Sequence, residues 1–231
     1  SIFIYFGLTN MPWLPLILIY GLIGFKIGGL KLSLTIVASF LFITFTGVLP
    51  QALLSIYLCG IAVIISFILG SSLGIWAAHN DKVSAFMRPI NDTMQTMPSF
   101  VILIPFVMFF GIGEFTALLA IIAYAFVPAM RYTEHGLRNL PETVIEAARM
   151  IGCSQTQLLW KVKIPLAMPV IMLGLNQTIM FGLAMLVIAA LVGTTGLGQL
   201  IYIGLSKADF GTGMISGVSI ALILSLIHIS E

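Results

Sequence analysis

Charged residues are scarce in this sequence. Of its 231 residues, ten are Lys or Arg and eight are Asp or Glu, so only 8% are charged, whereas soluble domains carry about 25%. No Asp, Glu, His, Lys or Arg occurs between Lys31 and His79 or between Lys163 and Lys207. Each gap exceeds the roughly 20 apolar residues that a helix needs to cross a bilayer. A soluble domain is therefore excluded, and the sequence predicts an all-α polytopic membrane protein.

Catalytic and metal-binding signatures are also missing from the sequence. Cys59 and Cys153 have no CxxC partner, and His79, His135 and His228 are far apart in the chain. A membrane enzyme would need His, Asp or Glu clustered at one interface. No GxxxxGK[ST] motif is present, so the chain has no P-loop for nucleotide phosphates. The sequence predicts no enzyme activity, metal site, cofactor or nucleic-acid partner.

About seven hydrophobic segments divide the chain into spans and connections. Nine Lys and Arg residues fall in one alternating set of connections and one falls in the other. Because cytoplasmic loops are rich in Lys and Arg, the loop 131–165 is predicted to be cytoplasmic and the segment 193–209 to face outward. We predict a single transmembrane domain over 1–231, with segments at about 12–29, 32–48, 51–78, 97–112, 115–130, 166–192 and 210–229.

A polar block interrupts the apolar pattern near the middle of the chain. Pro141 suits the first turn of a helix, and Gly152 suits a left-handed helix end. Ser154-Gln155-Thr156-Gln157 has the form of a capping box, which predicts a second short helix to about Lys163, before Pro165 opens the next span. A loop of about 33 residues is long for a plain connector. The block therefore predicts a docking surface for a partner, with a solvated connector as the alternative.

The same block contains a motif with fixed spacing. Glu146-Ala147-Ala148 is followed after three residues by Gly152 and after nine more by Val162-x-Ile164-Pro165. This spacing resembles the EAA loop of ABC importer permeases, where the usual ending is I-x-L-P. Over roughly 10–225 the chain is similar to glycine betaine/proline betaine permeases. That wider similarity includes Met94-Gln95-Thr96-Met97-Pro98, Phe110-Gly111-Ile112-Gly113, Gly174-Leu175-Asn176-Gln177-Thr178-Ile179-Met180 and Gly196-Leu197-Gly198-Gln199.

The resemblance implies a MetI-like bundle that works in the cell membrane as a homodimer of permease subunits. A coupling helix at 141–151 would dock on a separate cytoplasmic ATPase, and an extracytoplasmic binding protein would deliver a quaternary amine osmolyte. The tail at 224–231 does not resemble the family. The residues that the resemblance assigns to ATPase coupling are Glu146, Ala147, Ala148, Gly152 and Pro165.

Two other transport functions stay open. The solute could be of the amino acid or choline type, or the protein could be an ion-coupled secondary transporter. Proton coupling usually places ionisable residues within spans, and none lies at predicted midplane depth. This absence favours the ATP-driven importer.

Three consecutive polar residues lie near the middle of a predicted span. Asn176, Gln177 and Thr178 begin about 12 residues into it, or some 18 Å at 1.5 Å per residue. Polar groups at that depth are costly unless they have partners. They could line the substrate path for a zwitterion, and the alternative is hydrogen bonding between helices or across a dimer.

Small residues recur in several apolar segments. Gly70 and Gly74, and likewise Gly213 and Gly217, have the spacing that suits close helix packing in lipid. Glu114 follows Gly111-Ile112-Gly113 at a predicted outer turn. We expect an exposed loop position for Glu114 rather than a binding site.

Overall fold

The structure is a computed structural model that describes residues 13–228, and nearly all of them are helical. The all-α class predicted from the sequence is confirmed. Residues 12 and 229, at the limits of the first and last predicted segments, lie outside the described residues, as does the end of the tail at 224–231. In chain order the helices are α1 Trp13–Phe45, α2 Leu49–His79, α3 Asp81–Thr96, α4 Ser99–Phe110, α5 Glu114–Arg138, α6 Glu142–Met150, α7 Gln155–Val192, α8 Leu197–Ser206 and α9 Phe210–His228.

Four helices of the described chain are long and apolar enough to cross a membrane. They are the second part of α1 (Gly28–Phe45), α2, α5 and α7. Helices α3 and α4 make a fifth if they are taken as one span bent by 103°. The bend follows from Pro98, which disfavours a helical conformation at the preceding residue, and Met97 accordingly has ψ of 134°. Each of the seven predicted segments overlaps a helix within the described residues, but the count of seven is not confirmed.

The chain divides into two compact units. Among the described residues, the first comprises 13–61, 103–120 and 183–228. Within it, α1 is a hairpin of two helical arms, because Gly29 has a left-handed φ of 71° and reverses the chain. Ser33 Oγ donates to the carbonyl of Gly21 at 2.9 Å, and the rings of Tyr20 and Phe40 stack with centroids 5.1 Å apart. The two segments predicted at 12–29 and 32–48 are thus separate helical arms.

The core of the first unit brings two of its three stretches of chain together. Ile43, Val48, Ala52 and Leu197 form a buried cluster, and the backbone N–H of Leu197 donates to Ser55 Oγ at 2.9 Å. Because lipid tails are as apolar as these side chains, the cluster stabilises the unit by van der Waals packing, and the hydrogen bond fixes where α8 begins.

Helices α8 and α9 pack closely where each has a glycine. A Cβ at Gly204 would lie 2.6 Å from the backbone nitrogen of Gly213, which is too close for any side chain. The close packing predicted for Gly213 is therefore confirmed, whereas Gly217 has open space within 4 Å of a Cβ.

The second unit comprises 62–102 and 121–182. Here α2 crosses α5 at Gly70 and Gly74. A Cβ at Gly70 would lie 2.5 Å from the carbonyl oxygen of Phe126, and one at Gly74 would lie 2.6 Å from that of Met130. The crossing predicted from the glycine spacing is confirmed. A buried cluster of Leu137, Ala167 and Ile171 packs α5 against α7 in the same unit.

Candidate functional site

The polar block predicted from the sequence forms a helical corner in the second unit. Helix α6 ends at Met150, and Gly152 follows with a left-handed φ of 90°. Nothing lies within 4 Å of a Cβ at Gly152, so the backbone conformation, and not lack of space, requires glycine there. The backbone N–H of Cys153 then donates to the carbonyl of Ala148 at 3.2 Å, which closes the corner.

The capping box at the start of α7 is confirmed. Ser154 Oγ accepts from the backbone N–H of Gln157 at 3.3 Å, and Gln157 Oε1 accepts from that of Ser154 at 3.0 Å. The predicted change near Lys163 is present, since the π-helical turn ends there, but the helix is not separate from the one that follows. Helix α7 continues through Pro165 into the span, because a π-helical turn at Leu158–Lys163 absorbs the irregularity caused by a proline that lacks an N–H.

One face of α6 packs inward and the rest is exposed. Ala148 is the only buried residue of α6, and Leu158 is the only buried residue of the π-helical turn against which α6 packs. Glu146 and Ala147 are exposed. At the C-terminal end of the helix, Met150 is 88% exposed and Ile151 is 84% exposed. The corner thus presents a carboxylate, a small side chain and two apolar tips to its surroundings.

The predicted coupling residues are only partly adjacent. Glu146, Ala147, Ala148 and Gly152 lie on α6 and its C-terminal turn, whereas Pro165 is an exposed residue within α7. The end of the π-helical turn also contacts α2, since Lys163 Nζ lies 3.5 Å from His79 Nε2.

The predicted substrate-path residues lie on α7. Thr178 is fully buried, and its hydroxyl donates back to the carbonyl of Gly174 at 2.7 Å. Asn176 and Gln177 are half-buried, and Asn176 has an interaction partner within the protein. None of the three side chains lines the charged cavity described below.

The segment 193–209 of the first unit is held by short polar contacts. Glu114 is exposed, as expected, and it accepts a hydrogen bond from the hydroxyl of Thr195 at 2.9 Å. Asp209, before α9, accepts from the hydroxyl of Thr212 at 2.7 Å and from its backbone N–H at 3.2 Å. These two hydrogen bonds favour the ionised form and hold the pKa of Asp209 below its usual value.

A charge network that sequence reasoning missed joins α2, α3 and α5 in the second unit. Arg138 donates to the carbonyl of Ala77 at 2.7 Å and pairs with Asp81 at 2.8 Å and with Glu134 at 3.1 Å. Glu134 is buried and also accepts from Ser84 Oγ at 2.5 Å. One guanidinium thus connects the end of α2, the start of α3 and the last turn of α5.

A second guanidinium joins α5 to the C-terminal half of α3. Arg131 donates to Gln95 Oε1 at 2.6 Å and pairs with Asp92. Beside it lies an open cavity of about 690 Å³, lined by Arg88 and Asp92 on α3, by side chains of α5 between 131 and 138, and by Asn139 just after α5. The predicted span 115–130 had placed Arg131 and Arg138 in a loop. Helix α5 continues to Arg138 because its charges are paired, and the four-residue spacing of Glu134 and Arg138 was the available signal.

Taken together, these features define a class of protein. Long apolar helices cross at glycines, and a polar helical corner projects from them, as in a polytopic helical transport permease. Residues 70–230 match the family described as "Binding-protein-dependent transport system inner membrane component". The chain belongs to this family.

Relatives of known role fit this assignment. The chain is 37% identical to the glycine betaine/proline betaine transport system permease protein ProW of Escherichia coli (strain K12) over 216 residues, which cover 94% of this chain and 61% of that one. It is 36% identical to the glycine betaine transport system permease protein OpuAB of Bacillus subtilis (strain 168), covering 94% and 77%. The chain therefore spans about three fifths of ProW and about three quarters of OpuAB.

A solved structure shares the fold. A chain of the MetNI methionine ABC transporter, in an inward-facing conformation, superposes with a TM-score of 0.68 at 20% identity. The superposition covers 78% of this chain and 91% of that chain. The MetI-like fold expected from the resemblance is thereby confirmed.

Proposed function

We propose that this chain is the permease subunit of an ATP-binding cassette importer for glycine betaine and related quaternary amine zwitterions. A separate cytoplasmic ATPase drives it, an extracytoplasmic binding protein delivers the solute, and two permease copies form the pathway. The family assignment and the names of ProW and OpuAB support this proposal. The observation that carries it is the exposed corner around α6, which has the geometry of a docking element.

The corner is suited to docking for two physical reasons. Its backbone is fixed by the capping box, by the left-handed Gly152 and by packing on the π-helical turn, so little conformational entropy is lost when a partner binds. Its exposed surface combines Glu146 and Ala147 with the apolar tips of Met150 and Ile151. A short helix of this kind fits a groove on a partner protein. Glu146, Ala147, Ala148 and Gly152 form the contact or its support.

Residue Pro165 has a different role in this proposal. It lies within α7, directly after the π-helical turn, so a displacement of α6 passes through that turn into the span. Asn176, Gln177 and Thr178, farther along the same helix, are proposed to line part of the solute path.

The proposal also assigns ATP hydrolysis to another subunit. The sequence has no GxxxxGK[ST] motif, so this chain supplies coupling surfaces instead of a P-loop of its own. An ion-coupled carrier is the competing function, and it would place the driving force in the membrane potential or in an ion gradient.

The decisive test is uptake of labelled glycine betaine by proteoliposomes that contain the permease, its ATPase and its binding protein. We expect uptake to require ATP on the ATPase side and to persist when an ionophore collapses the proton gradient. Uptake that survives ATP depletion and stops with the ionophore would replace the importer by a secondary transporter. Choline and a neutral amino acid as competitors then report the solute class.

A further inference from the structure

The cavity in the second unit contains one cation that its surroundings leave without a partner. Arg88 and Asp92 stand four residues apart on α3, the spacing at which an ion pair usually forms on a helix. Asp92 instead pairs with Arg131 on α5. Among the described residues Arg88 has no hydrogen bond or ion pair, although it lines the cavity. Arg88 is therefore an exposed guanidinium beside an open cavity, with no partner among the described residues.

The charges around this cavity balance as a whole but are separated locally. The guanidiniums of Arg88, Arg131 and Arg138 stand against the carboxylates of Asp81, Asp92 and Glu134. A net positive pocket would favour a plain anion, whereas this balanced set does not. Arg88 and Asp92 are about 5–6 Å apart at their Cβ atoms by helix geometry. A free positive group thus lies one helical turn from a carboxylate.

A small molecule that carries both charges matches this arrangement. Asp92 is paired through Oδ1 only, so its second oxygen can face a cationic group. The side chain of Tyr132 lines the same cavity and provides an aromatic surface for a quaternary ammonium. Close contact holds Tyr132 in place, because a Cβ at Gly174 would lie 2.7 Å from the Cβ of Tyr132. The volume of about 690 Å³ admits a solute of this size with water.

We propose that this cavity is a transient binding site for the zwitterionic solute, with Arg88 receiving the carboxylate and Asp92 and Tyr132 facing the quaternary ammonium. The inference rests on the proposed import function and adds a site to it. Because Arg131 and Arg138 lie in the part of the chain predicted to be cytoplasmic, here the end of α5, the site is a release vestibule. Weak binding suits such a site, since the solute must leave it in every cycle.

The test replaces Arg88 in the complete transporter reconstituted in proteoliposomes, with glycine betaine uptake and ATP hydrolysis measured in parallel. For Arg88→Gln we expect about a ten-fold loss of solute transported per ATP, as for a lost charge-assisted hydrogen bond. Arg88→Lys keeps the charge and should recover most of that loss. The matched control is Lys82→Gln, an exposed cation on the same helix that does not line the cavity. For Lys82→Gln, the amount of betaine transported per ATP should stay within two-fold of wild type.

Each other outcome counts against a specific claim. If wild type transports betaine and Arg88→Gln transports as much per ATP within two-fold, the proposed binding site is wrong and the proposed import function stands. If Arg88→Gln lowers uptake and ATP hydrolysis equally, Arg88 acts in assembly and the site is again wrong. If wild type moves no betaine, the proposed function fails and the site fails with it. Choline, which lacks the carboxylate, should be insensitive to Arg88→Gln wherever it is transported.

Discussion

At the scale of single residues, Arg138 connects three helices of the second unit. Its three nitrogens each have a partner, on α2, on α3 and on α5 itself. One of these partners, Glu134, is buried, and a buried carboxylate that loses its counter-ion is strongly destabilising. Arg138 is thus more than a surface ion pair.

Replacing Arg138 by alanine should therefore destabilise the protein. We expect a loss of about 2 kcal/mol, below the usual cost of breaking a buried pair because the guanidinium is partly exposed. Thermal unfolding of the detergent-solubilised protein measures it. Arg138→Lys should give an intermediate loss, since lysine cannot reproduce the planar fork. Lys82→Ala, at an exposed cation, should unfold as wild type does. Equal stability of Arg138→Ala and Lys82→Ala would contradict this role.

Gly152 is a second residue whose identity matters, because its backbone conformation requires glycine. Its φ of 90° is open to glycine, is tolerated by asparagine and is inaccessible to proline, whose φ is held near −65°. Gly152→Pro should abolish ATP-driven uptake while the protein still inserts in the membrane, because only the corner is disturbed. Gly152→Asn should keep most of the activity. Full uptake by Gly152→Pro, measured against the amount of protein in the membrane, would show that the corner geometry is not needed.

At the scale of elements, the crossing of α2 and α5 depends on the absence of side chains. Gly74 leaves no room for a Cβ beside the carbonyl of Met130, whereas Gly60, on the same helix, has nothing within 4 Å. Substitutions at Gly74 and Gly60 therefore distinguish the effect of packing from the effect of helix propensity within α2.

Alanine at these two positions should have opposite effects. Gly74→Ala forces the helices apart and should cost about 2 kcal/mol, the usual range for overpacking. Gly60→Ala meets open space and should be neutral or slightly stabilising, because alanine favours the helix. Thermal unfolding of both variants in detergent is the measurement. A Gly74→Ala protein as stable as Gly60→Ala would mean that the crossing can relax.

Most elements could be predicted from the sequence, and the exceptions have physical causes. Gly152 and the Ser154 capping box identified the corner because their signals are local. The continuation of α7 through Pro165 could not be predicted, because a π-helical turn has no residue signature. The extension of α5 to Arg138 was missed because its charges looked solvent-facing until the partners on α3 were known.

At the scale of the whole molecule, the sequence identified the family but not the charged cavity. Apolar length and the EAA spacing are one-dimensional patterns, and they led to the permease class that the family match confirms. Arg88 and Tyr132 are 44 positions apart in the sequence, so only the packing of α3 beside α5 brings them to one cavity.

The function proposed for the assembled transporter depends on whether α6 contacts a separate ATPase. A photoreactive cross-linker attached to Ala147→Cys tests this contact most directly, in a Cys59→Ala, Cys153→Ser background that removes both native thiols. Leu205→Cys is an exposed control in the segment predicted to face outward. We predict that position 147 captures the ATPase in native membranes and that position 205 does not. Failure at 147, or labelling of 147 from outside intact cells by an impermeant thiol reagent, would contradict the account.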